Sequence, residues 1–214
     1  MAERRPPQIW VLAGTNGAGK SSVGGASIAA QGLEFFNPDE AARRMRAGNP
    51  RLGLPDANGR AWEVGRRLLE RAIAERKSFA LETTLGGRTI AKLLELAHQK
   101  GFEVRIWFAG LASPELHLER VRSRVGKGGH DIPEAMIRKR YDAAREHLID
   151  LLPGLAELHL YDNSEDRDPD RGRAPEPRLV LHWRAGQIVG PPELGQAPKW
   201  ARPIVAAAMK TRRR

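Results

Sequence analysis

Gly14-Thr15-Asn16-Gly17-Ala18-Gly19-Lys20-Ser21 fits the spacing G-x-x-x-x-G-K-[ST], which suits a loop that wraps a chain of phosphates. Backbone N–H groups must approach the anion closely, and Gly14, Gly17 and Gly19 tolerate the backbone angles this needs. Lys20, at the start of a helix, can hold the β- and γ-phosphates of a nucleotide with help from the helix dipole. The Ser21 hydroxyl can ligate Mg²⁺. Thr15, Asn16, Ala18 and Ser22 complete the nucleotide-binding candidates. The context supports the motif, because Ile9-Trp10-Val11-Leu12-Ala13 is a short apolar run typical of a buried parallel strand. A small-residue, helix-compatible stretch from Ser21 to Gln31 follows it.

Two acids stand where strands end. Glu82 closes Phe79-Ala80-Leu81, where a carboxylate could hold a Mg²⁺-bound water or position a substrate hydroxyl. Asp39 follows the short strand Leu33–Phe36 and could accept the proton of an attacking hydroxyl. Asn37, Pro38 and Glu40 read as N-cap, first helical residue and capping-box partner, which also gives Asp39 an ordinary first-turn place. Arginines flank a glycine-rich basic loop, Gly126–Asp131: Arg120, Arg122 and Arg124 before it, Arg138, Arg140 and Arg145 after it. On a helical wheel Ile137, Tyr141, Ala144 and Leu148 form one buried stripe. Lys139 points away from that stripe, Arg138 lies to one side, and Arg140 borders it. A mobile lid carrying Arg124 and Arg140 onto a transferring phosphoryl group would make functional sense, with Arg140 preferred over Arg138.

The positioning elements follow from periodicity. Gly59–Lys77 is an amphipathic helix with Ala61, Val64, Gly65, Leu68, Leu69, Ala72 and Ile73 inward, after a loop over Gly48–Gly59. A Gly86-Gly87 turn leads to a helix closed by Gly101, then the strand Val104–Ala109. A helix capped by Ser113 follows, then one from Pro133 to Leu152 and the strand Leu158–Tyr161. Strands separated by helices predict a doubly wound α/β fold with a mostly parallel five-stranded sheet and its chemistry at the strands' carboxyl ends. Residues 1–164 form one domain. Residues 165–214 read as a proline-rich linker, a hairpin around Ala185-Gly186 and a basic tail, packed on that domain or trailing from it.

With 214 residues, 41% hydrophobic and 29% charged, the chain is expected to be one soluble domain. The absence of cysteine excludes disulfides and thiolate metal sites and suits a reducing compartment. The polar Met1–Gln8 offers no signal segment, no run is long enough to span a membrane, and a cytoplasmic location is expected. A net charge of +10 favours anionic partners, although Lys210–Arg214 reads as a solvated tail. A nucleic-acid-binding ATPase is the alternative of another class, but no base-reading motif or stacking platform supports it.

The chain resembles the zeta-toxin family of P-loop kinases, particularly its chromosomal zeta-toxin-like branch. The carriers are Gly14–Ser21, Phe36-Asn37-Pro38-Asp39, Glu82-Thr83-Thr84, Gly128-Gly129-His130-Asp131-Ile132-Pro133, Arg138-Lys139-Arg140-Tyr141 and Tyr161-Asp162-Asn163-Ser164. The resemblance implies a nucleoside-kinase-like P-loop NTPase fold with a helical lid. It also implies ATP- and Mg²⁺-dependent phosphorylation of the 3′-hydroxyl of UDP-N-acetylglucosamine, with an antitoxin protein as a partner. Asp39 then looks like the general base, Lys20 and Ser21 the ATP and Mg²⁺ ligands, and two lid arginines the stabilisers of the transition state. Asn37, Asp39, Glu82, Thr83, Thr84, Arg120 and His130 are the acceptor-binding candidates, Ser21 and Glu82 the metal-binding ones. One departure stands out: toxins proper place an arginine where this chain has His130. A neutral imidazole replaces guanidinium charge poorly, so either Arg138 or Arg140 takes the role or the activity differs. Another sugar, nucleotide or phosphorylated metabolite is the alternative acceptor.

Overall fold

A computed structural model describes residues 5–29, 32–33, 35–126, 129, 131–165 and 176–211. Its centre is β1 (Gln8–Ala13), with β3 (Phe79–Thr83) parallel on one side and β4 (Glu103–Gly110) parallel on the other. Period-two alternation divides β1 between two cores. Ile9, Val11 and Ala13 enter the larger, and Trp10 and Leu12 the smaller, where Ile28 and Trp107 cover them. Burial on both faces is why this strand reads as an unbroken apolar run.

The sheet continues to β2 (Phe35–Phe36) beyond β3 and to β5 (Glu157–Asp162) beyond β4, all parallel. Between strands run α1 (Lys20–Ala29), α2 (Pro38–Gly48), α3 (Leu54–Ala74), α4 (Arg88–Gln99), α5 (Pro114–Gly126) and α6 (Glu134–Leu151). Parallel pairing brings the carboxyl ends of these strands to one edge, so the segments after β1, β2, β3, β4 and β5 all open there.

The parallel α/β architecture is as the sequence predicts, but among the described residues the sheet has seven strands rather than five. β6 (Arg178–Arg184) runs antiparallel to β5, with His159 opposite His182 and Leu160 opposite Leu181, and β7 (Gln187–Gly190) completes the edge. The following helix, α7 (Arg202–Thr211), buries Ile204, Val205 and Ala208 in the larger core, so Lys210 and Thr211 belong to a packed helix. The basic residues 212–214 and most of the expected linker lie outside the described residues. Helix α3 starts at Leu54 because Pro55 suits a first turn, and it ends at Ala74. Val64, expected inward, is exposed, as is Trp62. No helix among the described residues is long and apolar enough to cross a membrane.

Trp183 and Trp200, both buried, come from the C-terminal stretch, and the Trp200 ring lies over Gly110 so closely that a Cβ there would come within 2.2 Å of it. Deleting residues 165–214 should therefore strip the β5 edge and remove large side chains from the core. The expected outcome is loss of cooperative urea unfolding, checked by circular dichroism against the full chain.

Candidate active site

The phosphate-type loop is shaped by glycines and held from behind by side chains distant in sequence. Gly14, Gly17 and Gly19 have φ of 141°, 83° and 73°. At Gly14 a Cβ would come 2.3 Å from the Ala109 carbonyl oxygen, and at Gly19 2.3 Å from Asn163 Nδ2, so both positions need glycine for space as well. His117 Nδ1 donates to the Asn16 carbonyl at 2.8 Å, and Asn163 Nδ2 donates to the Ala18 carbonyl at 2.9 Å. In a trans peptide the C=O and the next N–H point opposite ways. Drawing the Asn16 and Ala18 carbonyls into the protein therefore turns the N–H groups of Gly17 and Gly19 outward, as an anion-binding nest requires.

His117 and Asn163 are buried, and neither was assigned a role from the sequence. Burial lowers His117 from 6.5 to about 4; its bond to Asn16 opposes this, and the nearby Lys20, Arg120 and Arg145 reinforce it. Because Nδ1 must donate to a carbonyl, the neutral ring carries its proton there. The folded chain takes up the second ring proton, at Nε2, less readily than the unfolded chain because burial disfavours the charged ring. The neutral ring's contribution to stability is fully present above pH 6.5 and is lost as pH falls towards about 4. A His117→Gln variant should show a flatter decline in stability over that window, measured by urea unfolding across pH.

Lys20 folds across the loop, its Nζ 3.2 Å from the Gly14 carbonyl and 3.3 Å from Glu82 Oε1, with both side chains largely buried. Asn37 ties this pair to α2. Its Nδ2 donates to Glu82 Oε2 at 3.0 Å, and its Oδ1 accepts from the backbone N–H of Asp39 at 2.9 Å and of Glu40 at 3.2 Å. The cap is present, but the Glu40 carboxylate pairs with Arg44 along the helix, where a capping box would send it back to Asn37.

Asp39 and Glu82 line a cleft of about 400 Å³, together with Thr83, Thr84, Trp62, Lys139 and Arg140. The threonine hydroxyls shape its wall: Thr83 Oγ1 accepts from Leu85 N at 3.1 Å and Thr84 Oγ1 from Gly86 N at 3.4 Å. Leu85 has φ 55° and is buried, and its carbonyl accepts from His147 Nδ1 at 2.8 Å. These contacts hold a branched residue in a left-handed conformation that costs roughly 1–2 kcal/mol.

Arg140 spans the loop and the cleft. Its guanidinium donates to Asn16 Oδ1 at 2.7 Å, while Thr15 Oγ1 donates to its carbonyl at 3.4 Å. Burial lowers the guanidinium pKa, and the negative charge of Asp39 counters the shift. Neighbouring Arg138 goes elsewhere: it bonds Glu115 at 2.7 Å and Glu134 at 2.8 Å, bracing α5 against α6. Lys139 is exposed, as the wheel predicts, and reaches the cleft lining.

Arg120 lies beside Gly17 and donates to the Glu165 carbonyl at 3.2 Å. Arg124 sits near the end of α5, its carbonyl accepting from Gly129 N at 2.9 Å. His130 falls outside the described residues. Ser21 and Ser22 are exposed in the first turn of α1. The Ser21 hydroxyl and the Glu82 carboxylate are hard oxygen donors of the kind Mg²⁺ takes, and both Glu82 oxygens are engaged here, by Lys20 and by Asn37.

Comparison with known proteins agrees with this geometry. The AAA domain family matches residues 9–147, well over half of the chain. An uncharacterized protein of Haemophilus influenzae is 33% identical over 141 residues, covering 63% of this chain and 97% of the relative. Among solved structures, AvrRxo1-ORF1:AvrRxo1-ORF2 with sulphate ions superposes with a TM-score of 0.66 at 16% identity, over 90% of this chain. This chain spans only 64% of the length of that one. The PezAT chromosomal toxin–antitoxin system of Streptococcus pneumoniae superposes with a TM-score of 0.54 at 15% identity, over 82% of this chain and 75% of that one. At these identities the superpositions speak for the fold. The family match does more: the chain belongs to the AAA domain family, as a P-loop α/β domain.

Proposed function

We propose that this chain is a phosphotransferase that moves the γ-phosphoryl group of ATP to a hydroxyl of a small anionic acceptor. The observation that carries the proposal is the joining of two half-sites by one side chain. Arg140 bonds the phosphate loop through Asn16 and faces Asp39 across the acceptor cleft. The glycine loop and Lys20 hold the triphosphate. The acceptor oxygen attacks the γ-phosphorus, its proton passes to the Asp39 carboxylate, and the bond to the β-phosphate oxygen breaks to release ADP. Arg140 stabilises the charge on the phosphoryl oxygens, and Asn37 keeps Glu82 and the start of α2 in register. Ser21 and Glu82 would hold Mg²⁺, which would supply charge neutralisation.

For the acceptor, we take UDP-N-acetylglucosamine phosphorylated at its 3′-hydroxyl as the first choice, on the zeta-toxin resemblance. Trp62 (46% exposed) and the cation Lys139 at the cleft suit a ring-bearing anion. An antitoxin-like protein partner belongs to the same reading, since AvrRxo1-ORF1 was solved with ORF2 and PezAT is described as a toxin–antitoxin system. A further structure of AvrRxo1-ORF1:-ORF2 was solved with ATP, which supports the choice of donor. The test is incubation with Mg-ATP and a panel of UDP-sugars, sugars and nucleotides, read by mass for one added phosphoryl group. A single product that disappears with Lys20→Ala supports the proposal. If no acceptor gains a phosphoryl group and ATP fails to bind, it is wrong.

A further inference from the structure

A second cluster of chemistry-bearing side chains lies on the sheet away from the phosphate loop. Glu157 and His159 alternate along β5 and so share one face, and His182 stands directly across from His159 on β6. Glu157 Oε1 lies 2.9 Å from His182 Nε2 and 3.9 Å from His159 Nε2, and one ligand atom from each residue lies within 4.8 Å of the others. Ligands about 2.1 Å from a tetrahedral zinc ion sit about 3.4 Å apart, inside the range these three atoms span. The two imidazoles stack nearly parallel, so a shared ion requires them to turn their in-plane nitrogen lone pairs toward one point. His159 is stacked between Trp107 and His182, with centroids at 4.6 and 4.1 Å, and the far carboxylate oxygen of Glu157 is bonded to Arg105. Glu157 is buried, while His159 and His182 remain partly accessible to solvent.

We propose that Glu157, His159 and His182 form a zinc-binding site that fastens the C-terminal hairpin to the parallel sheet. Two imidazole nitrogens and one carboxylate oxygen favour Zn²⁺ over Mg²⁺, so this ion differs from the one a kinase reaction uses. Metal entry replaces the hydrogen bond between His182 and Glu157, releasing whatever proton they share. Glu157 opens β5, whereas the candidate active site lies beyond the strand's other end, so the ion acts on the fold and touches no reacting atom. Its ligands come from two strands joined through a long connection, and coordination closes that connection in the folded state alone.

The test uses the tag-free full chain, stripped with a chelator and titrated with Zn²⁺ against a chromogenic competitor. One equivalent should bind and raise the thermal midpoint, and Mg²⁺ should not displace it. His159→Gln and His182→Gln should each weaken binding by more than the roughly 10–100-fold that losing an outer-shell partner costs, and His98→Gln should leave it unchanged. X-ray absorption of the zinc-loaded natural chain needs no variant and should show a mixed nitrogen and oxygen shell. Binding that survives both substitutions, a thermal midpoint unmoved by zinc, or an all-oxygen shell overturns the proposal.

Discussion

Asp39→Asn should lower the turnover number by roughly 10²–10⁴-fold, the usual worth of a positioned general base, while the Kd for ATP stays unchanged. The amide has nearly the same shape as the carboxylate but cannot take up the acceptor's proton. The backbone N–H of residue 39 would still be capped by Asn37, so the start of α2 should be undisturbed. In the proposed mechanism the nucleotide contacts belong to the glycine loop and Lys20, none of which lines the cleft beside Asp39. Steady-state kinetics with the identified acceptor and equilibrium titration with ATP make the check. Undiminished turnover would remove Asp39 as the base.

Arg140→Ala should reduce the turnover number further, by about 10³-fold or more, with a smaller change in KM, because its charge matters most as the phosphoryl group transfers. Arg140→Lys should recover little, since an ammonium lacks the planar fork that reaches Asn16 while facing the cleft. The matched control is Arg138→Ala. That guanidinium is occupied by Glu115 and Glu134 on an exposed face, and its loss should alter stability only slightly and turnover not at all. If Arg138→Ala proved the more damaging change, the two arginines would have to exchange roles.

Local signals in the sequence carried a good deal of this arrangement. The glycine spacing, the apolar run before it and the small residues after it mark strand, loop and helix, because each is determined within a few positions. The stripe of Ile137, Tyr141, Ala144 and Leu148 separates Arg140 from Arg138 by angle alone, and all four are buried. What sequence could not reveal depends on chain segments far apart. His117 is one residue from the apolar Leu118, and its buried bond to Asn16 exists only once α5 packs beneath the loop. Asn163 lies 145 residues from the Ala18 carbonyl it holds. The hairpin was legible as a hairpin, but its pairing with β5 follows a connection whose length gives no hint of the partner. Helix α7 was obscured by the basic residues that end the chain, although its apolar side is short and regular.

Gly86 carries a consequence of its own. A Cβ at this position would lie 2.6 Å from Arg140 Cγ and 2.9 Å from Arg140 Cβ, although its backbone is not in the left-handed region. The missing side chain is therefore a vacancy reserved for an arginine stem. A saturation library at position 86, selected for turnover, would return glycine almost alone, whereas selection for soluble expression would tolerate far more. Comparing the two lists of survivors would gauge how finely that one cation has to be aimed.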